Sequence, residues 1–491
     1  MWFRGRTVLA FVVLTAVATG MSTYAALRYP GFLAADSQSS PGTATASPEL
    51  GITDKELSKF NKAFELIRNS YLLQTNRAAL MDGAIQGMVE SLNDPYSVYK
   101  SPEESEAFSD ELQGAFTGIG ANLSLKQGTI VVESTFKGSP AERAGLLPKD
   151  VLLSVNGESL QGLTLSEAVA KIRGPKGTKA KLNVRREGVA DPLDLELVRD
   201  RIDLVTVHSE MLEDGIGYLA IRKFTFDTSK RVADEIGALE QSGLKALVID
   251  LRDNPGGMVQ SVEEVASQLL PKGKSIMQYQ YRDGTYQTEV SEPGLSQAKP
   301  YPIVVLVNKG SASAAEILAG AMQQSANAVL VGETTYGKGT VQLPFDAELE
   351  DGSIMKLTVS KWLLPDGTWI NGKGISPDVP VVQPDYFMAT QLPRDAAMKL
   401  DDAGPPIANL QAVLEGVGFP ADRHDGYFSQ ATQDALEAFQ KHEGLPVTGI
   451  ADTATSQRLE EVLNDHLQQK EYDKQLVTAL AQAHNLIDAD K

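Results

Sequence analysis

The 491-residue chain contains no cysteine. That excludes a disulfide framework and any thiolate metal site, and it removes thiol oxidation as a hazard outside the cell. Histidine is nearly as scarce: of five, only His208 precedes residue 400, while His424, His442, His466 and His484 lie near the C-terminus. A serine–histidine triad therefore has almost nothing to draw on in the central chain, and the His-Glu-x-x-His pattern of zinc proteases is absent. No metal and no cofactor is expected. Positive charge is also short. Lys and Arg number 45 against 64 Asp and Glu, a net charge of −19, which argues against nucleic acid and anionic lipid as partners.

At this length several domains are expected. Arg4 and Arg6 precede an uncharged stretch from Thr7 to Leu27, close to the roughly 20 residues that cross a bilayer as a helix. The flanking arginines put the N-terminus inside and the remainder outside. Residues 1–28 read as a membrane anchor or signal, with a retained anchor preferred. The alternative is secretion after signal cleavage, for which Ala25-Ala26 and Ala34-Ala35 offer small residues. Either way the bulk of the chain is extracytoplasmic. Residues 29–50 read as a linker, because Ser37–Pro48 is rich in Ser, Thr, Ala and Pro.

Residues 51–110 read as a helical arm. Thr53-Asp54-Lys55-Glu56 is a capping box, followed by Leu57, Phe60, Phe64 and Ile67 at helical spacing. A second helix runs from Arg77 to Leu92 and stops before Asp94-Pro95-Tyr96-Ser97. An ordinary helical layer is one reading; a homodimer contact is the other, because these helices precede any sheet that would cover them.

Residues 115–188 contain short β-prone segments and a short, glycine-capped helix within Gly138–Leu146. An Asn156-Gly157 hairpin turn follows, then an amphipathic helix over Leu165–Ile172 and a last strand over Lys179–Arg185. The Ser-Pro-Ala…Ala-Gly-Leu…Asp-Val…Val-Asn-Gly series resembles a protease-associated PDZ domain, β-sandwich-like in class. The resemblance implies that Gly118, Ile119, Gly120 and Ala121 present N–H groups to a peptide's terminal carboxylate while the peptide adds as a strand. Arg173, just beyond the helix, reads equally as a peptide contact and as a solvated arginine.

Residues 189–390 form an α/β core with a mixed sheet. Strands at Gly217–Ile221, Ala246–Ile249, Ile303–Val307 and Val329–Val331 alternate with helices at Ser229–Gln241, Ser261–Leu270 and Ser313–Gln324. Three segments leave the carboxyl ends of these strands, where open α/β sheets place their sites. Asp250–Gly257 ends in Gly256-Gly257, whose N–H groups are free to face an oxyanion, although a simple tight turn has the same composition. Ser313 opens a helix, a position also common for a mere cap. Lys338 lies between two glycines in Gly337-Lys338-Gly339-Thr340-Val341-Gln342. A serine needs a neighbour to take its proton. A desolvated lysine can serve where histidine is missing, and Gln342 can orient the amine. The Gly-Lys-Gly-Thr run lacks phosphate-loop spacing.

The order of these pieces resembles the carboxyl-terminal processing proteases, the tail-specific serine proteases, over about residues 53–385. The matching pieces include Asp94–Ser97, Asp250–Gly257, Ser311-Ala312-Ser313-Ala314, Gly337–Gln342 and Gly374–Asp378. The resemblance selects Ser313 over Ser311 as nucleophile, with Lys338 as base and Gln342 as the third member. It implies oxyanion donors at Ala314 and at Gly256 or Gly257. It further implies cleavage near the C-termini of proteins with exposed tails, engaged through the PDZ domain. Ser360–Gly367 departs from the family, which tends to carry tyrosine and threonine there. The competing class is a non-catalytic PDZ scaffold that tethers peptides at the wall.

Residues 403–463 carry Leu410-Gln411, Asp425-Gly426, Phe439-Gln440 and Thr448-Gly449. They resemble a small all-α, three-helix peptidoglycan-binding domain. A spacer or dimer-contact module of the same fold is the alternative. With the acidic charge and the lack of cysteine, the resemblance implies a bacterial cell envelope. Residues 464–491 read as a charged helical tail.

Overall fold

The computed structural model describes residues 51–489, apart from 127, 187, 188, 190, 347 and 395. The anchor and linker expected over 1–50 lie outside the described residues. Among the described residues no helix is long and apolar enough to cross a membrane.

The chain divides into two compact units. One comprises the residues up to Glu106 together with Gln342–Thr358; the other comprises Ala107–Val341 and Val359–Lys491. In the first, the Asp54–Ser70 helix opens on the expected capping box: the Glu56 side chain accepts from the Thr53 N–H (2.9 Å), and Thr53 caps the Glu56 N–H. None of its residues is buried, and Leu57, Phe60 and Ile67 stand exposed. The Arg77–Glu90 helix is capped by Asn76. Asp94 then closes a turn on the Tyr96 N–H and the Ser97 hydroxyl, and Val98–Lys100 pairs antiparallel with residues 354–356.

In the second unit, the PDZ sheet runs Ala121–Lys126, Thr129–Thr135, Val151–Val155, Lys179–Arg185 and Leu193–Val198, all antiparallel. The Asn156-Gly157 turn has positive φ at both residues, as a tight hairpin requires. Lys179–Arg185 is not the last strand. Leu193–Val198 pairs along its length, and Leu195 and Leu197 on one face pack into the same core as Leu182 and Val184. The Leu-Asp-Leu-Glu-Leu-Val alternation is a period-two pattern with one buried face.

The peptidase sheet has the order 207–211, 216–221, 246–250, 303–307, 329–332, 379–380. Every pair is parallel except the first. Its inner strands are buried on both faces, which explains their continuous apolar runs. The helices Thr228–Gln241, Val259–Leu269 and Ala314–Ser325 are the crossovers. An antiparallel layer absent from the sequence reading pairs Ser275–Tyr281 with Tyr286–Val290 and with residues 360–363.

The helices Pro405–Gly416, Gln430–His442 and Thr453–Leu467 enclose a core of Leu410, Leu414, Phe428, Leu436, Phe439 and Leu459. Gln411 and Gln440 are buried struts. Gln411 holds Gly426 N and Tyr427 O, and Gln440 holds Gly449 N and Ile450 O. The tail is not simply a charged extension. Lys474–Ala489 is a helix whose Leu476, Ala479 and Ala483 pack on Ile216, Val248, Val304, Leu306 and Val331 of the peptidase sheet. The three-helix module is therefore inserted between two segments that both dock on that sheet, Val379–Pro380 and this helix.

Candidate active site

The parallel strands deliver three loops to one edge. Asp250 ends its strand fully buried, and burial alone would push its carboxyl up. The Arg252 guanidinium, bonded through Nε (3.0 Å) and Nη2 (2.9 Å), and the Tyr218 hydroxyl (2.6 Å) outweigh that and hold it below the usual range. In return, burial and the adjacent carboxylate raise the Tyr218 phenol.

The turn that follows is braced by Asn254. Its Nδ2 donates to Ile221 O, and its Oδ1 accepts the Gly256 N–H at 2.8 Å. Phe224 N donates to Gly256 O, and Met258 N donates to Phe224 O. Gly256 N–H is thus occupied, while among the described residues no hydrogen bond engages Gly257 N–H. Both glycines have positive φ, at 99° and 138°. A Cβ on Gly256 would lie 2.8 Å from Ser313 Cβ and 2.9 Å from Ala314 N; on Gly257 it would lie 2.0 Å from Phe224 O. No side chain fits at either place.

Ser311 is fully buried, and its hydroxyl donates to Leu251 O (2.8 Å) while accepting from Asn308 N (3.0 Å). It is a structural clamp between two loops. Ser313 caps the Ala314–Ser325 helix with φ 54° and ψ −117°. Few non-glycine residues hold such a conformation, and it persists only where the surroundings enforce it. Ala314 N–H is in the first turn, where the helix offers no partner of its own.

The residue that the sequence reading passed over is Glu316. It is fully buried. Its Oε2 accepts the N–H groups of Ser313 (2.8 Å) and Lys338 (2.9 Å), and its Oε1 accepts Gly337 N–H (2.6 Å) and the Thr335 hydroxyl (2.6 Å). One carboxylate oxygen therefore ties the backbone of Ser313 to that of Lys338, 25 residues away in sequence. Its only sequence signal is the spacing of three from Ser313, which reads as an ordinary capping residue.

The Lys338 loop is held on its other side by two tryptophans. Trp362 Nε1 donates to Lys338 O (2.7 Å), and Trp369 Nε1 donates to Gly339 O (2.8 Å). Lys361 Nζ lies 4.3 Å from the Trp369 ring centroid. The Ser360–Gly367 departure thus supports the lysine loop. Gln342 belongs to the other compact unit. There its Nε2 donates to Thr358 Oγ1 (3.0 Å), which donates to Asp94 Oδ2 (2.5 Å).

Just before the PDZ edge strand, Ile119 O accepts Ala141 N–H and Gly120 O accepts Phe136 N–H. A Cβ on Gly120 would lie 2.3 Å from Ser139 Cβ. Among the described residues nothing engages the N–H groups of Ile119 or Gly120. Ala121 opens the edge strand and pairs with Thr135, while Gly118 ends the preceding strand opposite Asp200. Arg173 is exposed, its guanidinium carbon 6.0 Å from the Phe116 ring centroid. Among the described residues no cluster of His, Cys, Asp or Glu is arranged to hold a metal.

Residues 215–381 match peptidase family S41, 131–186 a PDZ domain, and 403–459 a putative peptidoglycan binding domain. Residues 16–104 match the N-terminal domain of the activating protease CtpB. The carboxy-terminal processing protease CtpB of Bacillus subtilis is 42% identical over 443 residues, 90% of this chain and 91% of that one. The carboxy-terminal processing protease CtpA of the same organism is 43% identical over 409 residues, 83% of this chain and 86% of that one. The chain belongs to the carboxy-terminal processing proteases of family S41. Among solved structures, the photosystem II D1 C-terminal processing protease aligns at 26% identity and a TM-score of 0.42, over 67% of this chain and 94% of that one. As a carboxy-terminal processing protease the chain is a serine peptidase with a PDZ domain, and the scaffold alternative falls away.

Proposed function

We propose that this protease cleaves with a Ser313–Lys338 pair, near the C-termini of extracytoplasmic proteins delivered by the PDZ domain. One observation carries the reading: a single buried Glu316 oxygen holds the N–H groups of both residues. In this mechanism neutral Lys338 takes the Ser313 proton, and Ser313 attacks the scissile carbonyl. The N–H groups of Ala314 and Gly257 receive the oxyanion. Lys338 then protonates the leaving amine, and water resolves the acyl-enzyme. Gly257 is preferred to Gly256 because the Gly256 N–H already serves Asn254. Gln342 is the orienting third member. Gly118–Ala121 receive the substrate's terminal carboxylate, with Arg173 beside them.

The chain incubated with an unstructured protein should release short C-terminal fragments, located by mass spectrometry. Amidating the substrate's C-terminus should slow release about tenfold, in keeping with loss of a charge-assisted contact. Equal rates for the free and amidated tails would defeat the PDZ part. Cleavage scattered along the substrate would defeat the tail-specific part.

We further infer membrane attachment through residues 1–28, wall contact through 403–463 and a homodimer through the helical arm, whose Leu57, Phe60 and Ile67 are exposed. Sedimentation tests the last two together. The chain should run as a dimer that Leu57→Asp with Ile67→Asp splits, and it should pellet with isolated peptidoglycan. A monomeric wild type refutes the dimer, and protein that stays in the supernatant, with none in the peptidoglycan pellet, refutes wall contact.

A further inference from the structure

The tail helix reaches the oxyanion turn through one side chain. Asp473 sits at the N-terminus of the Lys474–Ala489 helix, where its Oδ1 accepts Leu476 N–H at 2.9 Å. The same carboxylate binds Arg252: Nη1 donates to Oδ1 at 2.8 Å, and Nη2 lies 2.8 Å from Oδ2. Gln383, on the segment entering the three-helix module, also donates to Asp473 Oδ1 (2.5 Å). Gln475 adds a second contact, accepting from Arg252 Nη1 at 3.2 Å and donating to Val381 O at 2.8 Å.

Arg252 is thus a nearly buried cation held between two carboxylates, Asp250 at the end of the preceding strand and Asp473 on the tail. Asp250 is fully buried and Asp473 mostly so. Arg252 is the first turn residue after Leu251, four positions before Gly256. Asp250 alone fixes only one edge of the guanidinium. The second carboxylate fixes the other, and with it the plane of the side chain and the exit of the turn. Paired charges at this depth are costly to break one at a time, because the remaining partner is left buried and unsatisfied.

We propose that Asp473 is a positioning residue for the peptidase. By clamping Arg252 it holds the Arg252–Gly257 turn, and so the Gly257 N–H, in register with Ser313. The tail is then a working part of the catalytic unit, and the inserted module is closed onto it at both ends. This rests on the Ser313–Lys338 reading above.

The test uses the full chain and a C-terminally tailed peptide. Asp473→Ser keeps a capping hydroxyl for Leu476, since serine ranks with aspartate at helix starts, but it is too short to clamp Arg252. Its melting temperature should stay close to wild type while kcat falls about tenfold, a fraction of the ~100-fold or more that follows loss of an oxyanion donor. KM should change less than twofold. Asp473→Asn, which still accepts a hydrogen bond but lacks the charge, should recover part of kcat. Wild-type kcat in Asp473→Ser, or a loss that appears only as raised KM or as a lowered melting temperature, would overturn the proposal. Ser313→Ala is run beside it. If that variant cleaves like wild type, the Ser–Lys reading and this proposal fall together. If it is inert while Asp473→Ser is fully active, only the proposal falls.

Discussion

Ser313→Ala should lower the rate of peptide cleavage by about 10⁴-fold or more, and Lys338→Ala should do nearly the same. The two act as one unit, so the double variant should be no worse than the weaker single. Lys338→Arg should not rescue, since a guanidinium stays protonated and has no lone pair to take the serine proton. Substrate affinity should survive in Ser313→Ala, because the PDZ groove and the oxyanion turn are untouched. Single-turnover cleavage and a binding titration on the same preparations measure both quantities. Ser313→Ala or Lys338→Ala cleaving within tenfold of wild type would remove that residue from the mechanism.

Glu316→Gln should be the most damaging change away from the reacting atoms. Four donors converge on two carboxylate oxygens: Ser313 N, Lys338 N, Gly337 N and Thr335 Oγ1. An amide turns one of those acceptors into a donor. Whichever way it is flipped, two of the four donors lose their acceptor, each at roughly 1–3 kcal/mol when buried. The positive φ of Ser313 is held against its own preference by this network, so slackening it releases Ser313 from its place. We expect a loss of stability of about 2–5 kcal/mol by denaturant melts. The drop in kcat, about 100-fold, should persist at temperatures where the variant is fully folded, as expected for misplaced reacting groups. Unchanged melting with cleavage within threefold of wild type would show that the carboxylate is not the tie it looks to be.

Much of this site was legible because its chemistry is local. Gly256-Gly257, the Ser-Ala-Ser-Ala run and the glycine-flanked lysine each announce themselves over a few residues, and each follows an apolar strand whose direction sets the edge. Ser311 and Ser313 were separable only by resemblance; in the fold the Ser311 hydroxyl is engaged by Leu251 and Asn308, which agrees with the proposed choice of Ser313. Glu316 was hidden because a buried hub and a surface capping box share one spacing. The Ser275–Tyr281 layer was hidden because its partner strand lies some 80 positions later in the chain, at residues 360–363, and long-range pairing leaves no trace in a local window. The docking of the tail helix was hidden for a similar reason. Leu476, Ala479 and Ala483 form a narrow stripe, and small residues look unremarkable until a sheet covers them.

The two indoles against the Lys338 loop have a practical consequence. The chain has three tryptophans, Trp2, Trp362 and Trp369. Replacing Trp2 with phenylalanine leaves a protein whose entire red-edge-excited emission arises from rings that hydrogen-bond the carbonyls of Lys338 and Gly339. Such a chain carries its own optical gauge at the proposed general base, and the arrival of a substrate there becomes visible without any added dye.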